Sequence, residues 1–443
     1  MSKFFDLLLL NGKVMTGENH CPDQLDIGII DNKITSIGNL KSKRGNEVID
    51  CKDLIILPGI IDTQVHFREP GYTNKETIEA GSQSAVLGGV TGFCEMPNTN
   101  PLTTNAEELK LKLSIAKKSS WCDYAFFIGA TSKNINKLSS LEKLPGCAGV
   151  KIFMGSSTGD LLVEDDDSLA KILRSGSRRV AVHAEDENRL RLRKKFYSKH
   201  KDVIMHPVIR DELSSLIATK RIVKISQEVK RKIHILHVST SREMQFLSDY
   251  KNFTTLELTP QHLTLTSPQC YKKLGSLAQM NPPIRSIYHK RALWKALDSG
   301  LVDVIGSDHA PHTLKEKKGN YPFTPSGMPG VQTMLPVMLD HLSKERIKLS
   351  KIVELLSTGP SKIYKMFKRG KIKKDYIASL TIVDLNLKKK FNKKDIKSLC
   401  GWSPFENNVI KGWPVITIIN GSVAMKYGQL VRRPKVQEIK YSK

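Results

Sequence analysis

Short apolar runs alternate along this chain with longer stretches of mixed polarity. The runs are rich in β-branched and aromatic residues, and most of them end at a polar residue. Their positions are Ile55–His66, Val90–Asn98, Tyr124–Thr131, Ala148–Phe153, Arg179–His183, Ile233–His237, Thr254–Pro260 and Val302–Asp308. Continuous apolar runs are typical of strands that are buried on both faces of a parallel sheet. Because helix-like stretches alternate with the runs, the pattern predicts an α/β fold in which βα units close into a TIM-type (β/α)8 barrel.

Two of the intervening stretches are assigned as helices on different signals. Leu109–Ile115 alternates apolar and polar residues as a strand would, but Asn105 followed by Glu108 is the start signal of a helix. Leu213–Ile225 carries its apolar residues among polar ones at a spacing that suits an amphipathic helix. We therefore predict a helix in both places.

Both ends of the chain lie outside the repeating pattern and are rich in strand-like segments. We predict that residues 57–370 form the barrel domain, and that residues 1–56 and 371–443 pair into one small β domain. Within the barrel, residues 312–330 contain three glycines and three prolines after the eighth run. A segment of that length without a regular pattern is usually functional, so we predict a lid or a binding loop there.

Composition and cysteine spacing limit the class of protein. The 443 residues are 40% apolar and 26% charged, which is the balance of a globular protein and not of a disordered one. No apolar run approaches the roughly 18 residues that cross a bilayer, and Asp6 interrupts the apolar N-terminal stretch, which argues against a signal peptide. The seven cysteines form no CxxC pair, which argues against a disulfide framework. We expect a cytoplasmic protein without a membrane partner.

The chain carries a strong positive charge. Its 70 lysines and arginines and 44 acidic residues give +26, and such an excess can indicate binding to nucleic acid. The lysines are spread over every segment, however, and no nucleic-acid-binding motif accompanies them. We therefore predict a basic solvated surface, an anionic small-molecule substrate and no nucleic-acid partner. A steep salt dependence of DNA binding would indicate the opposite.

The polar residues at the ends of the runs are the candidate active-site residues, because barrel enzymes carry their sites at the C-terminal ends of the strands. They are Gln64, His66, Asn98, Lys151, His183, His237 and Asp308. Three imidazoles and a carboxylate suit Zn²⁺. One histidine at a strand end is usually a structural residue, but His309 and His312 gather at the same predicted rim. The group as a whole therefore favours a metal site.

Lys151 lies inside an apolar run, between Val150 and Ile152. One interpretation is a lysine whose ammonium group reaches solvent. An unmodified lysine buried in such a run would be costly, whereas a carbamylated lysine would be anionic and could bridge two metals. Composition alone does not distinguish these alternatives.

Ten segments, in order from about Leu57 to Gly428, resemble motifs of the amidohydrolase superfamily in its dihydroorotase form. The segment Asp62–Gly71 is similar to the metal motif DxHxHxREPG of that family. The others are 96–99 (MPNT), 150–151 (VK), 182–186 (VHAED), 236–240 (LHVST), 281–285 (NPPIR), 307–312 (SDHAPH), 325–330 (PSGMPG), 403–406 (SPFE) and 412–414 (GWP). The resemblance implies a zinc-dependent hydrolase that interconverts N-carbamoyl-L-aspartate and L-dihydroorotate in pyrimidine (UMP) biosynthesis.

The resemblance also implies roles for individual residues. The metal ligands would be His66, Lys151, His183, His237 and Asp308, with Lys151 in the position of the carbamylated lysine of many members. Asp308 would also move the catalytic proton. The substrate would be held by Arg68, Asn98 and His312 at its carboxylate, and by Asn281 and the backbone near Ser326 and Gly327 at its ring. The planar guanidinium of Arg68 matches a carboxylate; the alternative for Arg68 is a salt bridge with Glu69.

Gln64 departs from the family motif, which has histidine at that position. An amide oxygen is a weaker zinc ligand than imidazole, so the more buried of two metals is affected. The alternatives, in order of preference, are a binuclear centre with an altered ligand, a mononuclear enzyme and an inactive relative. Because the remaining metal-motif residues are retained, we expect one tightly bound Zn²⁺ and a second that binds more weakly.

Two other functions fit parts of this pattern. A dihydropyrimidinase or an allantoinase would use the same metals, but an uncharged dihydropyrimidine does not need the cation of Arg68. A non-catalytic scaffold subunit, bound to another enzyme of the pathway, would not need Asp308 or Lys151. We therefore expect an enzyme, either as a homo-oligomer or in complex with another enzyme of pyrimidine synthesis.

Overall fold

The strands of the protein form two separate sheets in a computed structural model that describes residues 4–155 and 159–442. The strands are β1 (Phe4–Val14), β2 (Asp23–Ile30), β3 (Lys33–Gly38), β4 (Arg44–Asp50), β5 (Ile55–Pro58), β6 (Ile60–Val65), β7 (Val90–Glu95), β8 (Asp123–Gly129), β9 (Cys147–Phe153), β10 (Val180–His183), β11 (Ile233–Ile235), β12 (Thr254–Leu258), β13 (Val304–Ile305), β14 (Leu380–Lys390), β15 (Val409–Ile419), β16 (Ser422–Lys426) and β17 (Gln429–Leu430).

Helices lie mainly between the strands of the barrel. They are α1 (Ile78–Leu87), α2 (Ala106–Ser119), α3 (Leu138–Leu141), α4 (Asp166–Arg174), α5 (Glu187–Phe196), α6 (His206–Ile209), α7 (Glu212–Glu228), α8 (Ser241–Leu247), α9 (Pro260–Thr264), α10 (Gln269–Leu274), α11 (Ile287–Asp298), α12 (Leu314–Lys317), α13 (Met334–Ser343), α14 (Leu349–Val353) and α15 (Gly359–Ile363). Across the described residues, no helix combines the length and the apolar character that a membrane span requires.

The barrel sheet consists of eight strands in the order β6 to β13, each parallel to the next one along the chain. The first and last strands meet at a bridge between Val65 and His309, where the His66 N–H donates to the His309 carbonyl at 2.7 Å. The predicted barrel is therefore confirmed. The strands are buried along their whole length, as their continuous apolar sequences indicated.

The first apolar run, Ile55–His66, is two strands and not one. β5 belongs to the second sheet and β6 to the barrel, with Gly59 between them. A Cβ at Gly59 would lie 2.3 Å from Thr91 Oγ1 and 2.7 Å from the Ser379 carbonyl oxygen. Because only glycine permits this close approach, the chain can pass there from one sheet to the other.

The second sheet joins the two ends of the chain. It has nine strands in the order β17-β16-β15-β14-β5-β1-β2-β3, with β4 beside β1. β5 and β14 pair antiparallel, with Leu57 opposite Thr381, and this pair connects the C-terminal strands to the N-terminal ones. A separate apolar cluster that includes Leu9 and Ile382 lies on this sheet. The predicted small β domain is confirmed, whereas its boundaries at 56 and 371 stay predictions.

The two helices predicted from the sequence are present as α2 and α7. Asn105 begins α2, because its side-chain oxygen accepts a hydrogen bond from the Glu108 N–H at 2.9 Å. The strand-like alternation along α2 arises because Lys112 is buried, with its ammonium 3.0 Å from Glu95 Oε2. Because a charged residue lies on the buried face of α2, the sequence does not show the apolar spacing that is typical of a helix.

Candidate active site

The predicted site residues lie together at the C-terminal ends of the barrel strands. Gln64, Lys151 and His183 are in β6, β9 and β10. Five more follow a strand by one to three residues: His66, Arg68, Asn98, His237 and Asp308. The remaining ones lie in the longer connections after β12 and β13: Asn281, His312, Ser326 and Gly327. Arg68, His237 and Asp308 adopt positive φ values of 64°, 37° and 44°. Non-glycine residues in this region carry backbone strain, which concentrates at functional sites when the surrounding packing enforces it.

Asp308 is contacted by two side chains from the first strand of the barrel. Gln64 Nε2 donates to Asp308 Oδ1 at 3.0 Å, and His66 Nε2 lies 3.3 Å from the same oxygen. The opposite nitrogen of His66, Nδ1, donates to Asn98 Oδ1 at 2.7 Å. Asn98 therefore orients the ring so that Nε2 points at Asp308, a contact that the sequence did not reveal.

His183 and His237 form a second contact pair. His183 Nδ1 lies 3.0 Å from His237 Nε2, and both rings are buried. The other nitrogen of His183 lies 2.9 Å from Glu185 Oε2, and Arg210 holds both oxygens of that carboxylate, at 3.1 and 2.5 Å. Burial lowers the pKa of both histidines, which favours the neutral rings that metals bind.

Glu185 and Arg210 are residues that the sequence reasoning missed. A carboxylate on the outer nitrogen of a histidine fixes the ring orientation and makes the inner nitrogen a better ligand. The signal for Glu185 was its place two residues after His183. Arg210 lies 25 residues from Glu185 in an irregular segment, and no pattern in the sequence links the two.

Lys151 is fully buried between its neighbours in β9. Its ammonium lies 4.4 Å from the centre of the Phe153 ring. Burial lowers the pKa of Lys151 to about 7, against the opposing effect of Asp308 and Glu257. Burial therefore favours the neutral amine of Lys151, which is the form that can react with carbon dioxide.

Arg68 is a cation of the site and lies beside His312, whose pKa is lowered by burial and by the charge of Arg68. Arg68 Nη2 lies 3.1 Å from His312 Nε2, and Arg68 Nε donates to the Pro311 carbonyl at 3.2 Å. Glu69, the alternative partner of Arg68, instead accepts a hydrogen bond from the Ile78 N–H at 2.8 Å, at the start of α1. The guanidinium of Arg68 is thus buried beside a histidine and a carbonyl, not neutralised by its neighbour in sequence.

Of the three predicted ring-contact residues, Ser326 and Gly327 lie beside His312, and Asn281 shares a cavity with Ser326. His206 Nε2 lies 3.0 Å from Asn281 Oδ1, and Asn281 and Ser326 line a cavity of about 580 Å³. The Ser326 carbonyl lies 3.2 Å from His312 Nε2. At Gly327, φ is 150° and a Cβ would lie 2.3 Å from the Ala310 carbonyl oxygen, so only glycine fits. This part of the 312–330 segment therefore lies against the predicted site.

The buried polar atoms of the site test whether a metal fits it. Gln64 Oε1 and His237 Nδ1 are buried without a hydrogen-bond partner in the described part of the chain, and such atoms are rare unless something else satisfies them. In that part of the chain, no three His, Cys, Asp or Glu side chains form a ready metal cluster. The candidate ligands instead form two contacting pairs, His66 with Asp308 and His183 with His237, and Lys151 is the fifth candidate. Nitrogen and oxygen donors without thiolate fit Zn²⁺.

Comparison of the sequence and the structure with those of known proteins identifies the family of this chain. Residues 55–424 match the model of the amidohydrolase family. Dihydroorotase from Methanosarcina mazei is 35% identical over 421 residues, 91% of each chain, and dihydroorotase from Pyrococcus furiosus is 33% identical over 416 residues, 93% of this chain and 92% of the relative. Among solved structures, L-hydantoinase (dihydropyrimidinase) from Arthrobacter aurescens has a TM-score of 0.93 at 25% identity and covers 98% of this chain and 99% of its own.

The chain belongs to the amidohydrolase family, because the model of that family matches most of its length. The eight-stranded barrel agrees with this assignment. The resemblance seen in the sequence is confirmed. The dihydroorotases that it matches are covered over nine-tenths of their length, so the similarity extends to the terminal β domain as well as the barrel.

Proposed function

We propose that this protein is a dihydroorotase, which interconverts N-carbamoyl-L-aspartate and L-dihydroorotate. The identity with dihydroorotases over most of the chain supports the activity. The single structural observation that carries the choice of substrate is the buried guanidinium of Arg68 beside His312. A cation with a planar fork suits the ring carboxylate of dihydroorotate.

Dihydroorotases of this family are typically metal-dependent, and the donor atoms of this site suit zinc. The residues that would hold it are His66, Lys151, His183, His237 and Asp308. When bound, zinc polarises a carbonyl group and makes water a better nucleophile near neutral pH. Lys151 would contribute as a carbamate, because its lowered pKa leaves the neutral amine available for that modification.

Asp308 is the candidate proton carrier. Its carboxylate would take a proton from the attacking water and return it to the ring nitrogen that leaves, which is general base and then general acid catalysis by one group. Gln64 and His66 restrain one oxygen of that carboxylate, at 3.0 and 3.3 Å. Such restraint keeps the carboxylate in one orientation during turnover.

The remaining residues would orient the substrate. Arg68, Asn98 and His312 would hold the carboxylate, and Asn281 with the backbone of Ser326 and Gly327 would contact the ring. Glu185 would act through His183, since its carboxylate fixes that ring.

The test is a comparison of substrates with purified, zinc-supplemented protein. Dihydroorotate, dihydrouracil, hydantoin and allantoin are assayed side by side, with zinc content measured on the same samples. We expect the highest kcat/KM with dihydroorotate. A preference for hydantoin or dihydrouracil would instead favour the activity named for the similar solved structure. No turnover of any substrate in zinc-loaded protein would favour a scaffold role.

Cellular location and assembly stay predictions. The cysteine pattern favours the cytoplasm, and a homo-oligomer or a complex with another enzyme of pyrimidine synthesis is the expected assembly. Fractionation of cells and size measurement of the purified protein test the two expectations separately.

A further inference from the structure

Lys317 is a fully buried lysine outside the set of residues discussed so far. It is the last residue of α12. Its ammonium donates to the carbonyls of Gln279, Pro325 and Gly327, at 3.0, 3.0 and 3.1 Å. An ammonium group has three N–H donors, so each one is matched by a carbonyl oxygen.

Gln279 reinforces the same connection from the opposite side. Its side-chain nitrogen donates to the Thr324 carbonyl at 2.9 Å and to Ser326 Oγ at 3.1 Å, and its side-chain oxygen accepts from Thr324 Oγ1 at 2.6 Å. The Gly327 N–H donates to the Gln279 carbonyl at 2.9 Å. We name Lys317 and Gln279 together the loop clamp, and residues 324–327 the clamped loop.

The clamped loop contains the backbone that faces the predicted site. The Ser326 carbonyl contacts His312, and Gly327 packs against Ala310. The loop has no regular secondary structure of its own, so hydrogen bonds to Gln279 and Lys317 replace the ladder that a strand or helix would supply. Buried carbonyls that lose their donor are costly, so removal of the clamp would destabilise this conformation of the loop.

We propose that Lys317 and Gln279 are positioning residues that hold the clamped loop in the conformation that binds the substrate ring. The inference rests on the proposed function, because Ser326 and Gly327 are the ring contacts proposed there. Neither clamp residue touches the reacting atoms. Their effect is on how well the substrate is held, and the proton transfer at Asp308 proceeds without them.

The decisive variant is Lys317→Met, which keeps most of the side-chain volume and removes all three donors. Lys318→Met is the matched control, since Lys318 is the exposed next residue. We expect KM for dihydroorotate to rise about tenfold or more in Lys317→Met, the size expected for lost hydrogen bonds from a charged donor. We expect kcat to stay within about threefold of the parent, because the chemical step is untouched. Lys318→Met should match the parent in both.

A second variant and a second measurement cover the case in which Lys317→Met folds poorly. Gln279→Met leaves the buried ammonium and the Gln279 carbonyl in place and removes the side-chain bonds to Thr324 and Ser326. It should raise KM in the same direction by a smaller factor. Hydrogen exchange at the Gly327 amide should accelerate in both variants, while amides of the barrel strands keep the protection of the parent.

The outcomes separate this proposal from the proposed function. If the parent prefers another cyclic amide, the proposed function is wrong, but faster exchange at Gly327 in Lys317→Met still supports the clamp. Unchanged KM together with unchanged exchange at Gly327, in either well-folded clamp variant, overturns the clamp while leaving the dihydroorotase assignment intact. A fall in kcat with constant KM would also overturn it, since that pattern belongs to a residue acting in the chemical step.

Discussion

Gln64 Nε2 donates a hydrogen bond to Asp308 Oδ1 at 3.0 Å, across the seam where the first and last strands of the barrel meet. The family motif has histidine at position 64, and here a neutral amide contacts the carboxylate that would serve as both ligand and proton carrier. The amide oxygen of Gln64 is buried with no hydrogen-bond partner in the described residues. It is therefore the atom of Gln64 that a metal could still use.

Zinc content should respond to the substitution Gln64→His. An oxygen of a neutral amide is a weaker zinc ligand than imidazole, so the parent should hold one zinc tightly and lose a second on mild chelation. Gln64→His should retain both at the same chelator concentration, as measured by zinc analysis after dialysis. Gln245→His, at an exposed position, is the control. Two equally tight zincs in the parent would show that other ligands compensate.

Asp308→Asn should remove nearly all activity. The amide keeps the size of the side chain but cannot accept and return a proton, and we expect kcat to fall by more than the factor of about 10²–10⁴ that is typical of acid–base loss alone. The thermal transition should be close to that of the parent, because Asp308 lies at the rim of the barrel. Asp298→Asn, on the exposed end of α11, should behave as wild type. Turnover near the parent level in Asp308→Asn would exclude the proposed role.

Arg68→Lys should not be a conservative change. Lysine keeps the charge and loses the fork that pairs with both oxygens of a carboxylate. We expect kcat/KM for dihydroorotate to fall by about one to two orders of magnitude, the size of a lost charged hydrogen bond. Residual activity on dihydrouracil should change little. Arg291→Lys, at an exposed position, serves as the control, and equal losses on both substrates would mean that Arg68 is structural.

Stability should fall in mild acid in part because of His341. This histidine of α13 is buried with Nε2 2.9 Å from Thr264 Oγ1, and burial lowers its pKa to about 4 from the ordinary value of 6.5. At pH values between these two pKa values, His341 binds a proton in the unfolded chain but not in the folded chain. The free energy of unfolding therefore decreases as the pH falls from 6.5 to 4, by at most about 1.4 kcal/mol per pH unit for one proton.

The variant His341→Gln should flatten that pH dependence. Urea unfolding at pH 7, 6, 5 and 4 gives the slope for the parent and for the variant. The substitution lowers stability at every pH, so only the slopes are compared. His20→Gln, on an exposed histidine, should keep the slope of the parent. An identical slope in His341→Gln would mean that His341 is protonated in the folded protein across this range.

Much of the fold was predictable because the barrel repeats one simple signal. Each buried strand is a continuous apolar run, and the polar residue at its end marks the rim. The division of the first run at Gly59 was not predictable, because it depends on contacts with Thr91 and Ser379 that are distant in sequence. The burial of Lys112 was not predictable for a similar reason, since it depends on an ion pair with Glu95 in a neighbouring strand.

The residues of the candidate site were likewise predictable only where a local sequence pattern marks them. His66, His183, His237 and Asp308 were found because strand ends bring them to one rim. Their roles as ligands stay predictions. Arg210 and Gln279 were not found, because each acts through hydrogen bonds to residues 25 or more positions away. A sequence pattern records the local period of burial, and it carries no trace of such a partner.

The closure of the barrel between Val65 and His309 has a consequence for how the enzyme comes into being. The partners Gln64 and Asp308 are separated by 244 residues, so the eighth strand is synthesised long after the first, whereas β7, which pairs with the other edge of β6, follows it closely. Until the eighth strand is in place, one edge of β6 is unpaired and Gln64 and His66 lack their contact with Asp308. The backbone bond from His66 to His309 closes this edge, and the same closure brings Asp308 to Gln64 and His66. Under the proposed function, the proton carrier is therefore in place only when the barrel is closed.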